Sequence, residues 1–112
     1  MTRGDIVLVN VPFVGSPGAK VRPAVVLQND SLNKSIIAAI TSNVGHTHQP
    51  HQLLIDISTR DGSATGLLTN SAIRCERIHT VPQSDIRKVI GRLCPAHVAQ
   101  LNLCLKSALA IP

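Results

Sequence analysis

The chain contains no tryptophan and no tyrosine, and Phe13 is its only aromatic residue. Recognition of bases by stacking on aromatic platforms is therefore nearly excluded, so any nucleic acid would be held by charge, hydrogen bonds and backbone amides. Three cysteines, Cys75, Cys94 and Cys104, form no CxxC pair and are too few for a disulfide framework, so they read as reduced, mostly buried thiols. The longest apolar stretches are strand-length and broken by charge, glycine or proline, and the opening MTRGD lacks the apolar segment of a secretory signal. A cytoplasmic protein with no membrane span is expected. Glutamate occurs once, at Glu76.

What is present points to one small domain spanning residues 1–112. With 44% hydrophobic residues the chain can bury a core, but a domain of this size has limited reserve and gains stability by pairing with a second copy. A homodimer is expected on that ground. Eleven Lys and Arg against six Asp and Glu leave a formal charge of +5, which favours polyanions such as nucleic acid. Many basic proteins bind no nucleic acid, so charge alone does not decide the matter.

Along the chain, strands come first and a helix last. Ile6 to Asn10 reads as a strand stopped by Pro12, and Phe13 to Ala19 (FVGSPGA) as a mobile loop. Val21 to Leu27 and Ser35 to Ile40 are β-branched runs that predict central strands, with a fourth strand at Leu53 to Ile57. Asn43 to Gln52 reads as a polar loop and Ser58 to Thr65 as a turn, while Ala72 to Val81 predicts a strand or strand pair. The segment Pro82 to Asp85, with Ser84 as cap, predicts a short helix through Ile90 that Gly91 ends. From Pro95 to Leu109 the spacing of Val98, Leu101, Leu105 and Leu109 predicts an amphipathic helix closing one side of a barrel.

Several side chains could do chemistry. Arg22 stands beside Pro23 at the start of a strand, and its fork of donors suits a phosphate as well as it suits ordering the neighbouring loop. Thr41 and Ser42 end the run Ile36 to Ile40, where hydroxyls either cap a turn or donate to a phosphate oxygen. Glu76 lies between Arg74 and Arg77, and strand alternation would set Arg74 and Glu76 on one face, as a structural ion pair or as an ionised carboxylate held for catalysis. His46, His48 and His51 form H-x-H-x-x-H in a loop with no carboxylate or thiolate nearby. Such histidines are usually solvated, so no metal is expected there, although partial protonation could add RNA-binding charge.

Taken in order, RGDIVLV (Arg3 to Val9), KVRPAVVLQND (Lys20 to Asp30), AAITSN (Ala38 to Asn43) and IGRL (Ile90 to Leu93) resemble the MazF/PemK toxins, sequence-selective endoribonucleases of toxin–antitoxin pairs. The resemblance implies a mainly β, α+β fold, a small SH3-like barrel of the CcdB/PemK type with about five to seven strands, a short helix and a C-terminal helix. It implies an active-site arginine at Arg22 and a phosphate contact at Thr41 and Ser42. Arg74-Cys75-Glu76 is similar to the RCD triplet of the PemK branch, whose arginine and acid are assigned catalytic roles, with glutamate for aspartate. Lys20, Asn43, His46, His48 and Arg77 would join Ser42 along the RNA. The histidine that this branch carries in its first loop is missing from Phe13 to Ala19.

The implied reaction is cleavage of single-stranded RNA by its own 2′-hydroxyl, without cofactor or metal, leaving a 2′,3′-cyclic phosphate and a 5′-hydroxyl. Glu76 would be the base, Arg22 and Thr41 would stabilise the transition state, and Arg74 would position Glu76 or the phosphate. Arginine is a poor general acid, since its pKa is above ~12, and the acid stays unassigned. The implied partners are a homodimer mate and an antitoxin of the MazE/PemI kind, whose acidic tail would cover the basic face; DNA would be reached only through that antitoxin. The same barrel also serves CcdB-like toxins that bind DNA gyrase through an aromatic, apolar C-terminus, whereas Ser107 to Pro112 (SALAIP) has no aromatic residue. A barrel that only binds, without activity, is a third reading.

Overall fold

β-Branched side chains are stiff at χ1 and pack well on a pleated surface, so the Val- and Ile-rich runs of this chain form strands. A computed structural model describes residues 1–11, 20–30, 32–45 and 50–112. Phe13 to Ala19, where a mobile loop is expected, and His46 and His48 fall outside the described residues. The strands are β1 (Asp5–Val11), β2 (Lys20–Asn29), β3 (Lys34–Thr41), β4 (Gln52–Ile55), β5 (Ser71–Pro82) and β6 (Ile86–Arg92). They form one antiparallel sheet in the order β4-β5-β3-β2-β1-β6. Among the described residues two helices accompany it, the single turn α1 (Arg60–Ser63) and the C-terminal α2 (Pro95–Ala108).

The sheet is open, and no ladder joins its edge strands β4 and β6 among the described residues. The expected barrel is instead bridged by the chain after α1, where the Arg92 amide on β6 donates to the Ala64 carbonyl at 3.2 Å. One face carries the main core. Ile6, Val25, Ala38, Ile73 and Cys75 pack there against Leu101 of α2, each 0% exposed, and burying a leucine of this kind contributes about 1.5–3 kcal/mol. Val98, Cys104, Leu105 and Ala108 complete the apolar side of α2, while Leu109 falls beyond the helix and stays exposed. The other face holds a second cluster of Val7, Val9, Ala24, Val26, Ile37 and Val81. Neither helix is long and apolar enough to cross a membrane.

Two elements differ from the sequence-based expectation. Ser84 does not cap a helix: a 3₁₀ turn at Gln83–Asp85 leads directly into β6, so Gly91 lies within a strand. The cap-like residues are real, but Ile86, Val89 and Ile90 are β-branched, and β1 offers a free edge with which Ile86 to Arg92 pairs. Conversely, Ser58 to Thr65 is more than a turn. Thr59 Oγ1 accepts from the Gly62 amide at 2.9 Å and caps α1. The fourth strand stops at Ile55, and Ala72 to Val81 lies within the single strand β5.

The RGD and IGRL segments meet at the other edge of the sheet. Gly4, at φ +92°, accepts from the Leu93 amide at 2.8 Å. Arg3 reaches back to the Leu27 carbonyl at 3.0 Å and to the Asn102 side chain on α2. Asp5 is 5% exposed, and its carboxylate accepts from the Thr2 amide at 2.9 Å and from Arg92 Nη2 at 3.1 Å. Burial pushes the Asp5 carboxyl up, but the Thr2 amide and the Arg92 guanidinium outweigh it and hold it below its ordinary 3.8.

A depressed folded pKa contributes stability above the ordinary value, and that stability is lost as pH falls through the depressed one. Urea melts should therefore show the wild type losing about 1–2 kcal/mol more than Asp5→Asn when the pH drops from neutrality to well below about 4. Equal acid losses in the two proteins would show that this pair adds nothing.

Candidate active site

β3 runs through the middle of the sheet, and alternate residues of a strand share a face. Ile37, Ala39 and Thr41 lie on the face away from α2, because Ala38 and Ile40 belong to the core beneath that helix. Register then sets their neighbours. Ala39 is flanked by Ala24 of β2 and Arg74 of β5, and Ile37 by Val26 and His79. Two residues on from the Ala24–Ala39 pair stand Arg22 and Thr41, with Thr41 opposite Ala72. Three rows result, about 6.6 Å apart, on strands about 4.8 Å apart. Ala24 and Ala39 raise only a methyl group each, so the middle row is low. Over it lies a groove of about 840 Å³ lined by Arg22, Thr41, Ser42, Arg74, Arg77, His79 and Lys88.

A bulge in β5 brings Arg77 and His79 to this face. Ala38 pairs with Ile78 while the adjacent Ala39 pairs with Arg74, so three residues of β5 are extra at that point. Simple alternation would have put Arg74 and Arg77 on opposite faces, yet both line the groove. Within the bulge Cys75 points into the core, where burial, with Cys104 and Glu76 beside it, pushes its thiol up to about 12. It stays protonated and is no nucleophile.

Glu76 sits at the rim and is not part of the groove lining. Its Oε1 is 3.2 Å from Arg74 Nε and accepts from Gln52 Nε2 at 2.9 Å. Partial burial pushes its carboxyl up, but the Gln52 hydrogen bond, its own backbone amide and Arg74 outweigh that and hold it below the ordinary carboxylate range. It is an ionised acceptor that fixes the direction of Arg74. Among the described residues neither Asp nor Glu lines the groove, and Arg22, Arg77 and Lys88 have no ion-pair partner.

The other residues singled out from sequence divide plainly. Thr41 Oγ1 accepts from the Asn43 amide at 3.1 Å, which is the turn-cap role, and its hydroxyl hydrogen is left to donate into the groove. Asn43 accepts from Gly45 at 3.4 Å and holds the same turn. Lys20 is exposed at the start of β2, outside the lining. His51 Nδ1 lies 3.1 Å from Ser107 Oγ of α2, and among the described residues no group of three or more metal-ligating side chains occurs. His79 and Lys88 were not singled out as site residues. The signal for His79 was its place two residues beyond Arg77 on one strand.

A groove ringed with cations, an arginine near the start of β2 and a threonine at the end of β3 agrees with what comparison finds. Residues 2–109 match the family of PemK-like, MazF-like toxins of type II toxin–antitoxin systems. The chain belongs to that family. It is 32% identical to the endoribonuclease MazF9 of Mycobacterium tuberculosis over 116 aligned residues, covering 95% of this chain and 93% of that one. It is 30% identical to the endoribonuclease EndoA of Bacillus subtilis, covering 97% and 94%. Among solved structures, a mycobacterial endoribonuclease in complex with its cognate antitoxin superposes with a TM-score of 0.78 at 16% identity, over 100% of this chain and 97% of that one. The toxin MazF-mt6 of Mycobacterium tuberculosis gives 0.77 at 20%, over 96% and 98%. These solved toxins share the fold of this chain.

Proposed function

We propose that this chain is the endoribonuclease toxin of a type II toxin–antitoxin pair and that it cuts single-stranded RNA without a metal, the RNA's own 2′-hydroxyl being the nucleophile. The observation that carries this reading is the groove itself, where four cationic side chains and one histidine surround a low alanine floor with no carboxylate. Such a surface accepts a phosphate and holds its charge as it grows during displacement. Family membership and relatives that are endoribonucleases support the activity.

In this reading a phosphodiester lies over Ala24 and Ala39. Arg22 and the Thr41 hydroxyl donate to its oxygens from one side, and Arg74, aimed by Glu76, donates from the strand beyond. Because Glu76 stands at the rim with its Oε1 on Arg74 and Gln52, we assign it, in place of the base role that the resemblance implies, the positioning of Arg74, and the 2′-proton passes to water in the open groove. Ser42 and Arg77 hold flanking nucleotides, together with the residues at 46 and 48. The products are a 2′,3′-cyclic phosphate and a 5′-hydroxyl.

Residues 1–112 are read as one toxin domain that works as a cytoplasmic homodimer. The partner is an antitoxin whose acidic segment fills the same groove; structural relatives of this fold include MazE–MazF complexes from Deinococcus radiodurans. The gyrase-binding reading has less to stand on, because the curated relatives that match are endoribonucleases.

The test is incubation of the purified protein with a long single-stranded RNA in EDTA, with the 5′ ends of the fragments mapped. Discrete cuts are expected, unchanged by added magnesium. RNA left intact by a folded protein would sink the reading.

A further inference from the structure

We propose that His79 is the general acid of this reaction, giving its proton to the 5′-oxygen as that oxygen leaves phosphorus; the proposal rests on the ribonuclease reading above. Displacement at phosphorus is in line, so the groups that serve the entering and leaving oxygens stand on opposite sides of the phosphate. The register supplies that arrangement. A phosphate over Ala24 and Ala39 has Arg22 and Thr41 one row away on one side and His79 one row away on the other. His79 also stands one strand beyond Ala39, on β5, so its offset combines a row step of about 6.6 Å with a strand step of about 4.8 Å.

Chemistry narrows the choice further. Of the side chains lining the groove, Arg22, Arg74 and Arg77 are guanidinium groups, too weakly acidic to give up a proton, and Lys88 is an ammonium on the edge strand β6, opposite Leu8. Imidazole is the side-chain type suited to donating and recovering a proton near neutral pH. The remaining described histidines are elsewhere, His51 against Ser107 and His97 on α2. The segment from Pro12 to Ala19 contains no histidine.

In the step, the 2′-oxygen forms its bond to phosphorus, and the bond from phosphorus to the 5′-oxygen breaks with its electron pair going to that oxygen. The oxygen takes the imidazolium proton, and neutral His79 is reprotonated from solvent.

The test uses two short RNAs of a mapped cleavage sequence, one natural and one with sulfur in place of the 5′-oxygen at the scissile bond. A thiolate leaves without being protonated. His79→Asn, with His79→Gln as a second variant, should slow cleavage of the natural RNA by about 10²- to 10⁴-fold and of the sulfur RNA by less than about tenfold. His79→Arg, which keeps a cation but cannot donate, should behave in the same way. Equal losses on both RNAs, or a fully active His79→Arg, would overturn the proposal in favour of phosphate binding. If the wild type cuts the natural RNA but His79→Asn does too at full rate, the acid assignment alone falls. If the folded wild type cuts neither RNA, the ribonuclease reading falls with it.

Discussion

Arg22→Ala is expected to lower the rate of RNA cleavage by about 10²- to 10³-fold, the loss typical of removing one preorganised donor to a developing oxyanion. Arg22 is exposed on β2 and, among the described residues, has no ion-pair partner, so truncation breaks nothing that holds the sheet together. Stability should change by no more than about 0.5 kcal/mol. The loss should fall on kcat as well as kcat/KM, because the contact strengthens as charge builds on phosphorus. Arg22→Lys should recover only part of the rate, since an ammonium lacks the two-pronged fit of guanidinium to phosphate. Single-turnover cleavage with urea melts of the same preparations decides it: a rate within tenfold of wild type would remove Arg22 from the chemistry.

Large stability losses belong to the bridge between the chain after α1 and β6. Gly66 has φ +74°, and a Cβ there would lie 2.0 Å from the Ile90 carbonyl oxygen. At Gly91 a Cβ would lie 2.3 Å from the Thr65 carbonyl. These obstacles are backbone and cannot rotate away. Gly66→Ala and Gly91→Ala should each cost more than about 3 kcal/mol, a large share of the 5–15 kcal/mol that holds a typical domain. The bridge also carries Gly66 and Leu67 into the groove wall, so RNA binding should fall with stability. Gly45→Ala is the control, since its Cβ would meet only Asn43 Oδ1 at 3.7 Å. Chemical denaturation of the three variants reads the difference, and a Gly66→Ala protein as stable as wild type would contradict the close approach.

Most of the strands were legible because local preference and tertiary context agree in them. Val25, Leu27, Ala38 and Ile40 face the core beneath α2 while Ala24, Val26 and Ile37 between them face the other way, and Arg22 and Thr41 stand at the ends of those runs. β6 was not legible. Pro82, Gln83, Ser84 and Asp85 carry a helix-start signal, and only the edge offered by β1, far away in sequence, turns Ile86 to Arg92 into a strand.

The site was hidden in a similar way. A bulge of three residues between Arg74 and Ile78 cannot be read from alternation, and it alone puts Arg77 and His79 beside Arg74 while Glu76 stays at the rim. The pairing of Arg74 with Glu76 was legible from spacing. That the carboxylate faces Gln52 was not, because Gln52 comes from β4 across the ladder.

The central claim is that the groove turns an RNA's own 2′-hydroxyl against the neighbouring phosphate. A single 2′-deoxynucleotide placed immediately 5′ to a mapped scissile phosphate, in an otherwise unchanged RNA oligonucleotide, tests it most directly. This one substitution is expected to abolish cutting at that phosphate while the RNA still binds. Continued cutting there would mean that water or another nucleophile attacks, and would contradict attack by the 2′-hydroxyl.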